Sequence, residues 1–163
     1  MIASEEIDEL AQVLVSQLSF VGKTLSTAES ITGGLISQQL TAVPGASKVF
    51  CGGIVAYSVD VKIGLLGVSQ EDLAHGVVSE QVAIAMAQGA LKVTDSDFAI
   101  SCTGVAGPGP HEGVEQGTVW LACASKLEVT TQFLQLTGNR DRVRIQCAAR
   151  ALALANALVT RLS

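Results

Sequence analysis

The chain has 163 residues, the length of one ordinary domain and enough to bury a sizeable core. It is 48% hydrophobic but only 4% aromatic, with a net charge of −5, which excludes a disordered chain and argues against the phosphate backbone of nucleic acid as main partner. No apolar run approaches the roughly 18 residues that cross a bilayer, and the start carries Glu5 and Glu6 where a signal peptide is basic, so a cytoplasmic protein without a membrane partner is expected.

The first helix starts at Ser4, a capping residue, and carries Ile7, Leu10, Ala11, Leu14 and Leu18 at the spacing of one buried face until Gly22 breaks it. Residues 23–28 read as a strand, and Glu29-Ser30-Ile31-Thr32-Gly33-Gly34 as a turn. A second helix, with Ile36, Leu40 and Val43 on one side, stops before Pro44-Gly45. Residues 49–58 read as a strand interrupted by Gly52-Gly53, a pair that marks a bulge or a close backbone approach. A short helix carries Lys62 towards Leu66, and Ser79 starts another along Val82, Met86, Ala90 and Leu91. Residues 98–102 form a short, buried strand that runs into the glycine-rich stretch TGVAGPGPHEG. Residues 117–124 and 128–136 are two strands close enough for a hairpin through Ser125-Lys126-Leu127, and the last helix runs from near Asn139 to Leu162. Helices alternate with strands early and a hairpin comes late. The expected fold is a single-domain (1–163) three-layer α/β/α sandwich around a mixed, mostly parallel sheet.

Cys51, Cys102, Cys123 and Cys147 form no CxxC pair and sit in apolar patterns, so they read as reduced core residues. The two histidines, His75 and His111, leave little material for a histidine metal site or a serine–histidine triad. Chemistry in this chain has to use something else.

In open α/β sheets ligands bind beyond the carboxyl ends of the strands. Three polar or glycine-rich segments leave strands at that end: ESITGG, YSVDVK and TGVAGPGP. Ser30 sits at a strand-to-helix turn beside Thr32, Gly33 and Gly34, where a hydroxyl meets free N–H groups, a suitable place for a nucleophile next to an oxyanion hole. The plainer alternative is that Ser30 or Thr32 caps the following helix. Lys62 is either a solvated lysine or, if desolvated, a base for a serine, because burial lowers its pKa. Tyr57, the only tyrosine, is either a pocket residue or a buried core ring. The stretch from Thr103 to Gly113 is neither a dinucleotide fingerprint nor a phosphate loop, though Thr103 and Gly104 can offer a hydroxyl and an N–H to a pocket. Arg140, Arg142 and Arg144 crowd the start of the last helix, where the helix dipole disfavours cations; Arg140 and Arg144 share a face. They form either an anion site for a phosphate monoester or a surface cluster paired with Asp141.

Taken together, five segments resemble the carboxy-terminal domain of the competence/damage-inducible CinA proteins, a family that also occurs alone as the bacterial nicotinamide-nucleotide amidase. They are AESITGG (28–34), GGIVAYSVDVK (52–62) with Leu66-Gly67-Val68, TGVAGP (103–108), Gly117-Thr118-Val119 and GNRDRVR (138–144). The resemblance covers nearly the whole chain, without the larger domain that precedes this one in full-length CinA proteins. It implies hydrolysis of nicotinamide mononucleotide to nicotinate mononucleotide and ammonia, with no metal and no organic cofactor. It places Ser30 on the nucleophile and Lys62 on the general base. Tyr57, Thr103 and Gly104 fall on pocket positions, Arg144 on the last arginine, and the arginines would hold the 5′-phosphate. Three positions depart from the family's pattern: Ile31 stands for a cysteine, Val59 for the asparagine of YSN, and Asn139 for the aspartate of GDR. The alternatives are a nucleotide-binding relative that lost turnover and an amidase for another small amide. A homodimer or higher homo-oligomer is compatible with either.

Overall fold

The computed structural model describes residues 4–163, Ser4 by its backbone alone, so the Ser4 cap lies outside the described residues. Helix α1 (Ser4–Val21) ends at Gly22, whose φ of 66° is a left-handed conformation that suits glycine. In chain order follow β1 (Leu25–Glu29), α2 (Leu35–Thr41), β2 (Phe50–Val55), α3 (Val59–Leu66), α4 (Glu80–Thr94), β3 (Phe98–Gly104), β4 (Thr118–Ser125), β5 (Val129–Gln135) and α5 (Arg140–Leu162). Side-chain caps start three of the helices: Ser58 receives the N–H of Val61, Ser79 that of Val82 and Asn139 that of Arg142.

The sheet order is β2-β1-β3-β4-β5. Strand β1 pairs in parallel with β2 and β3, and β4 runs antiparallel to both β3 and β5. Four strands therefore point one way and β4 opposes them, a mixed, mostly parallel sheet. Helices α1, α2 and α5 cover one face, over a core of Leu14, Leu18, Leu25, Ile36, Leu40, Ile100, Leu152 and Leu158. On the other face α3 and α4 lie over Ala28, Leu66, Val82, Met86 and Ala99. The expected three-layer sandwich is the observed one.

All five residues of β1 are buried, because alternate side chains enter the two cores: Leu25 one, Ala28 the other. The strand ends one residue later than the sequence predicts and includes Glu29, whose side chain falls on the α2 face. Helix α2 is shorter than predicted, with Val43 beyond its end and half-buried against the core. In β2, Phe50 stands opposite Leu25 and Gly52 opposite Ser26, so Cys51 is the extra residue of a bulge in an edge strand. Its thiol is exposed, which corrects its reading as a core cysteine; the other three cysteines are buried. Gly53 is the close approach: a Cβ there would lie 2.2 Å from Ser37 Oγ and 2.5 Å from Thr27 Oγ1. No helix of the described residues is long and apolar enough to cross a membrane.

Candidate active site

The three parallel strands end in register, Glu29 opposite both Val55 and Cys102. The next residues of each strand, Ser30, Ala56 and Thr103, therefore come side by side along the carboxyl edge. Two backbone bonds tie them, Ala56 N–H to Glu29 O at 2.8 Å and Ser30 N–H to Cys102 O at 3.2 Å. A cavity of about 460 Å³ lies over this edge. Its walls come from the segments singled out in the sequence: Ser30 and Ile31; Tyr57, Ser58, Val59 and Lys62; and Thr103 through Glu112. Gly76, Val77, Val78, Val114 and Arg140 complete them.

Lys62 lies in α3 with its side chain 1% exposed. Its Nζ is 2.9 Å from Ser30 Oγ, 2.7 Å from Ala56 O and 3.2 Å from Tyr57 O. A carbonyl oxygen can only accept, so two of the three Nζ directions must carry protons. The third faces Ser30 and can hold either a proton or a lone pair. As an ammonium, Lys62 donates to Ser30; as a neutral amine, it accepts the proton of the serine hydroxyl. Burial pushes the Lys62 pKa down from the usual lysine range, towards the neutral form. The alternative of a solvated lysine is excluded by this burial.

The turn that carries Ser30 is held by Glu29, which the sequence marks only as a turn residue. Glu29 is fully buried, and its Oε2 accepts from Thr32 Oγ1 (2.6 Å), Gly34 N (3.0 Å) and Ile36 N (3.0 Å). Its Oε1 accepts from Ser37 N (2.8 Å), Ser37 Oγ (2.7 Å) and, at 3.4 Å, Thr27 Oγ1. Gly34, the cap residue before α2, has φ of 101° and no side chain to cap with, and Glu29 takes up the free N–H groups instead. A carboxylate ending a buried strand, five residues before a helix with a glycine at its cap, was the sequence signal for this.

Thr32 is buried with its hydroxyl bound to Glu29, and Gly33 and Gly34 shape the turn, both at positive φ. None of the three lines the cavity. Ser30 does line it, and the capping bonds of α2 run to Glu29, so neither Ser30 nor Thr32 is the cap. Among the described residues no hydrogen bond takes up the N–H of Ile31, which follows Ser30 at the cavity wall. Thr103 lines the cavity and donates its hydroxyl proton to Val77 O at 2.9 Å. Gly104 is a packing glycine: a Cβ would come within 2.7 Å of Thr118 O and 3.0 Å of Ile31 Cδ1. Tyr57 is 64% exposed, which rules out the buried core ring, and its hydroxyl accepts from Arg140 Nη2 at 3.1 Å. Arg140 also donates to Gly107 O at 2.7 Å, so it joins two walls of the cavity. The arginine pair divides. Arg144 donates to Thr32 O at 2.8 Å, with Asp141 at 3.8 Å, and stands behind the turn, off the cavity wall.

Residues 7–159 match the CinA C-terminal domain family. A CinA-like protein of Synechococcus sp. is 46% identical over 151 residues, covering 89% of this chain and 35% of its own length. The chain spans between 33% and 39% of the length of curated relatives it matches. Two crystal structures are similar over nearly their whole length. One is the competence/damage inducible protein CihA from Agrobacterium tumefaciens, with TM-score 0.91, 36% identity, and 97% of this chain and 98% of that one covered. The other is a competence-damaged protein (CinA) superfamily protein from Klebsiella pneumoniae, with TM-score 0.92, 32% identity, and 95% and 98% covered.

Proposed function

The chain belongs to the CinA C-terminal domain family, and from that premise we propose that it is an amidohydrolase that converts nicotinamide mononucleotide to nicotinate mononucleotide and ammonia. The observation that carries the proposal is Lys62 Nζ at 2.9 Å from Ser30 Oγ, buried, with two carbonyl oxygens occupying its other directions. A serine paired with a desolvated lysine is a nucleophile with its base. Ser30 Oγ attacks the carboxamide carbon while Lys62 takes the hydroxyl proton. The Ile31 N–H meets the oxyanion, an acceptor that forms only as the reaction proceeds. The C–N bond then breaks, Lys62 returns its proton to the nitrogen, and ammonia leaves an acyl-serine. Water attacks that ester with Lys62 again as base, which frees Ser30.

The cavity suits a mononucleotide. Ile31, Val59, Val77, Val78 and Val105 offer apolar wall to an aromatic ring, and Arg140, the arginine that lines the cavity, supplies a cation for a phosphate. A cytoplasmic setting belongs to the same proposal, consistent with four free cysteines among the described residues. The test is ammonia release from nicotinamide mononucleotide, with free nicotinamide and NAD as controls. Ser30→Ala is expected to abolish release while the circular dichroism spectrum stays that of the native fold. Wild-type turnover by the alanine variant would remove Ser30 as nucleophile, and nucleotide binding without ammonia release would identify a non-catalytic relative.

A further inference from the structure

Helix capping accounts for only part of what converges on Glu29. Gly34, Ile36 and Ser37 belong to the start of α2, but the shortest bond to Oε2, from Thr32 Oγ1 at 2.6 Å, comes from the turn between Ser30 and the helix. Thr32 has one hydroxyl proton and gives it to the carboxylate, so the thiol of Cys102, 3.0 Å away, must donate to Thr32 Oγ1. Cys102 is also the residue whose carbonyl receives the Ser30 N–H. The bonds close a ring: Ser30 N–H to Cys102 O, Cys102 Sγ–H to Thr32 Oγ1, Thr32 O–H to Glu29, and Glu29 joined by its own peptide bond to Ser30. Among the described residues no cation pairs with the carboxylate, and neutral donors supply every contact to it.

We propose that Glu29 is a positioning residue for the nucleophile, holding Ser30 towards Lys62 through Thr32 and the first turn of α2. The inference rests on the reading of Ser30 as a nucleophile. It separates a role in attack geometry from the plain stabilisation that any buried, saturated carboxylate provides. The protein contains its own control. Asp97 clamps the opposite end of β1, accepting from Thr24 N (2.9 Å), Thr24 Oγ1 (3.0 Å) and Lys23 Nζ (3.0 Å), away from the cavity.

The amide of Glu29→Gln keeps the shape but turns an –NH₂ towards backbone N–H groups whichever way it sits, that of Ser37 in one orientation and those of Gly34 and Ile36 in the other, so the clamp on the turn is broken. Asp97→Asn makes the comparable lesion at the far end of the strand. For both variants the measurements are melting temperature, kcat and KM for ammonia release, and the rate at which a fluorophosphonate labels Ser30, read by mass spectrometry. In that labelling the Oγ–P bond forms, fluoride leaves and the hydroxyl proton passes to Lys62. Glu29→Gln is expected to lower kcat and labelling by about tenfold to a hundredfold with KM within about threefold of wild type, as misplacement of a reacting atom does. Asp97→Asn is expected to lose stability and keep both rates. If Glu29→Gln does not fold, Thr32→Val cuts the ring while leaving the α2 N–H groups on Glu29, and the same loss of kcat is expected.

A folded Glu29→Gln or Thr32→Val variant with wild-type kcat and labelling would overturn the inference, as would an Asp97→Asn variant that loses both rates equally. A wild type that is labelled but releases no ammonia leaves Ser30 a nucleophile with another substrate, and labelling alone then decides the role of Glu29. A wild type inert to both removes the nucleophile, and this inference with it.

Discussion

Replacing Lys62 with methionine keeps a buried stem of similar length and removes only Nζ, with its bonds to Ser30 Oγ, Ala56 O and Tyr57 O. The serine then has no group in place to take its proton. A positioned general base contributes about 10²–10⁴ in rate, so Lys62→Met is expected to lose about 3–5 kcal/mol of transition-state stabilisation. Lys62→Arg fails for a different reason, since a guanidinium does not give up its proton at any working pH. The wild-type pH profile carries the same argument. Burial holds the Lys62 pKa below the usual lysine value. Below the folded pKa, Nζ is an ammonium that donates to Ser30 and cannot act as base. The rate therefore rises with pH, about tenfold per pH unit, and levels off above that pKa. Stability follows the same sign: the unfolded chain holds this proton more tightly, so the burden of the buried ammonium is complete below the folded pKa and disappears as pH rises through the unfolded one. The assay is ammonia release from nicotinamide mononucleotide between about pH 6 and about pH 10 for the three proteins, with circular dichroism to establish that each is folded. Retention of more than about a tenth of the wild-type rate by Lys62→Met would refute the reasoning. So would a wild-type rate that falls as pH rises across the acid limb.

The two arginines should separate kinetically. Arg140→Ala is expected to raise KM by about tenfold or more, the value of one charge-assisted contact of about 1.5–3 kcal/mol, whereas Arg144→Ala leaves KM near wild type and lowers kcat through the loosened Thr32 carbonyl; steady-state kinetics of both variants checks this. Val59 is 37% exposed on the cavity wall, so an asparagine there keeps access to water and carries little stability cost. Val59→Asn is expected to raise kcat by up to about tenfold, about 1.4 kcal/mol, and a folded variant that is no faster would count against a slow amidase and for a reshaped pocket. Gly53→Ala places a Cβ against Ser37 Oγ and Thr27 Oγ1, two donors to Glu29. Its melting temperature should fall by several degrees, for an overpacking cost of about 1–3 kcal/mol, and an unchanged value would show that the hydroxyls yield without strain.

Much of this architecture is determined by short-range features of the chain. The stripe from Ile7 to Leu18 and the stop at Gly22 define α1, and Ser58, Ser79 and Asn139 each satisfy an N–H of the helix they start. The three segments that leave β1, β2 and β3 are legible because turn residues follow apolar runs, and a parallel sheet brings such exits to one edge. Side-chain environment was a different matter. Nothing within a few residues of Lys62 says whether its amine meets water or two carbonyl oxygens; that depended on where Ala56 and Tyr57 end relative to Ser30, 32 residues away in sequence. Cys51 left the core because one residue too many stands between Phe50 and Gly52 against β1, a register property of two strands. Arg140 and Arg144 share a helix face, but only the packing of α5 decided that one reaches Gly107 and Tyr57 and the other the back of the turn. Glu29 stayed hidden because a lone acid beside a turn is ordinary in sequence. Its meaning came from six donors on five residues, the hydroxyls of Thr27, Thr32 and Ser37 and the N–H groups of Gly34, Ile36 and Ser37, assembled only when helix and strand meet. Periodicity and caps act over one or two turns of chain, whereas burial, desolvation and hydrogen-bond saturation are sums over neighbours that the fold alone brings together.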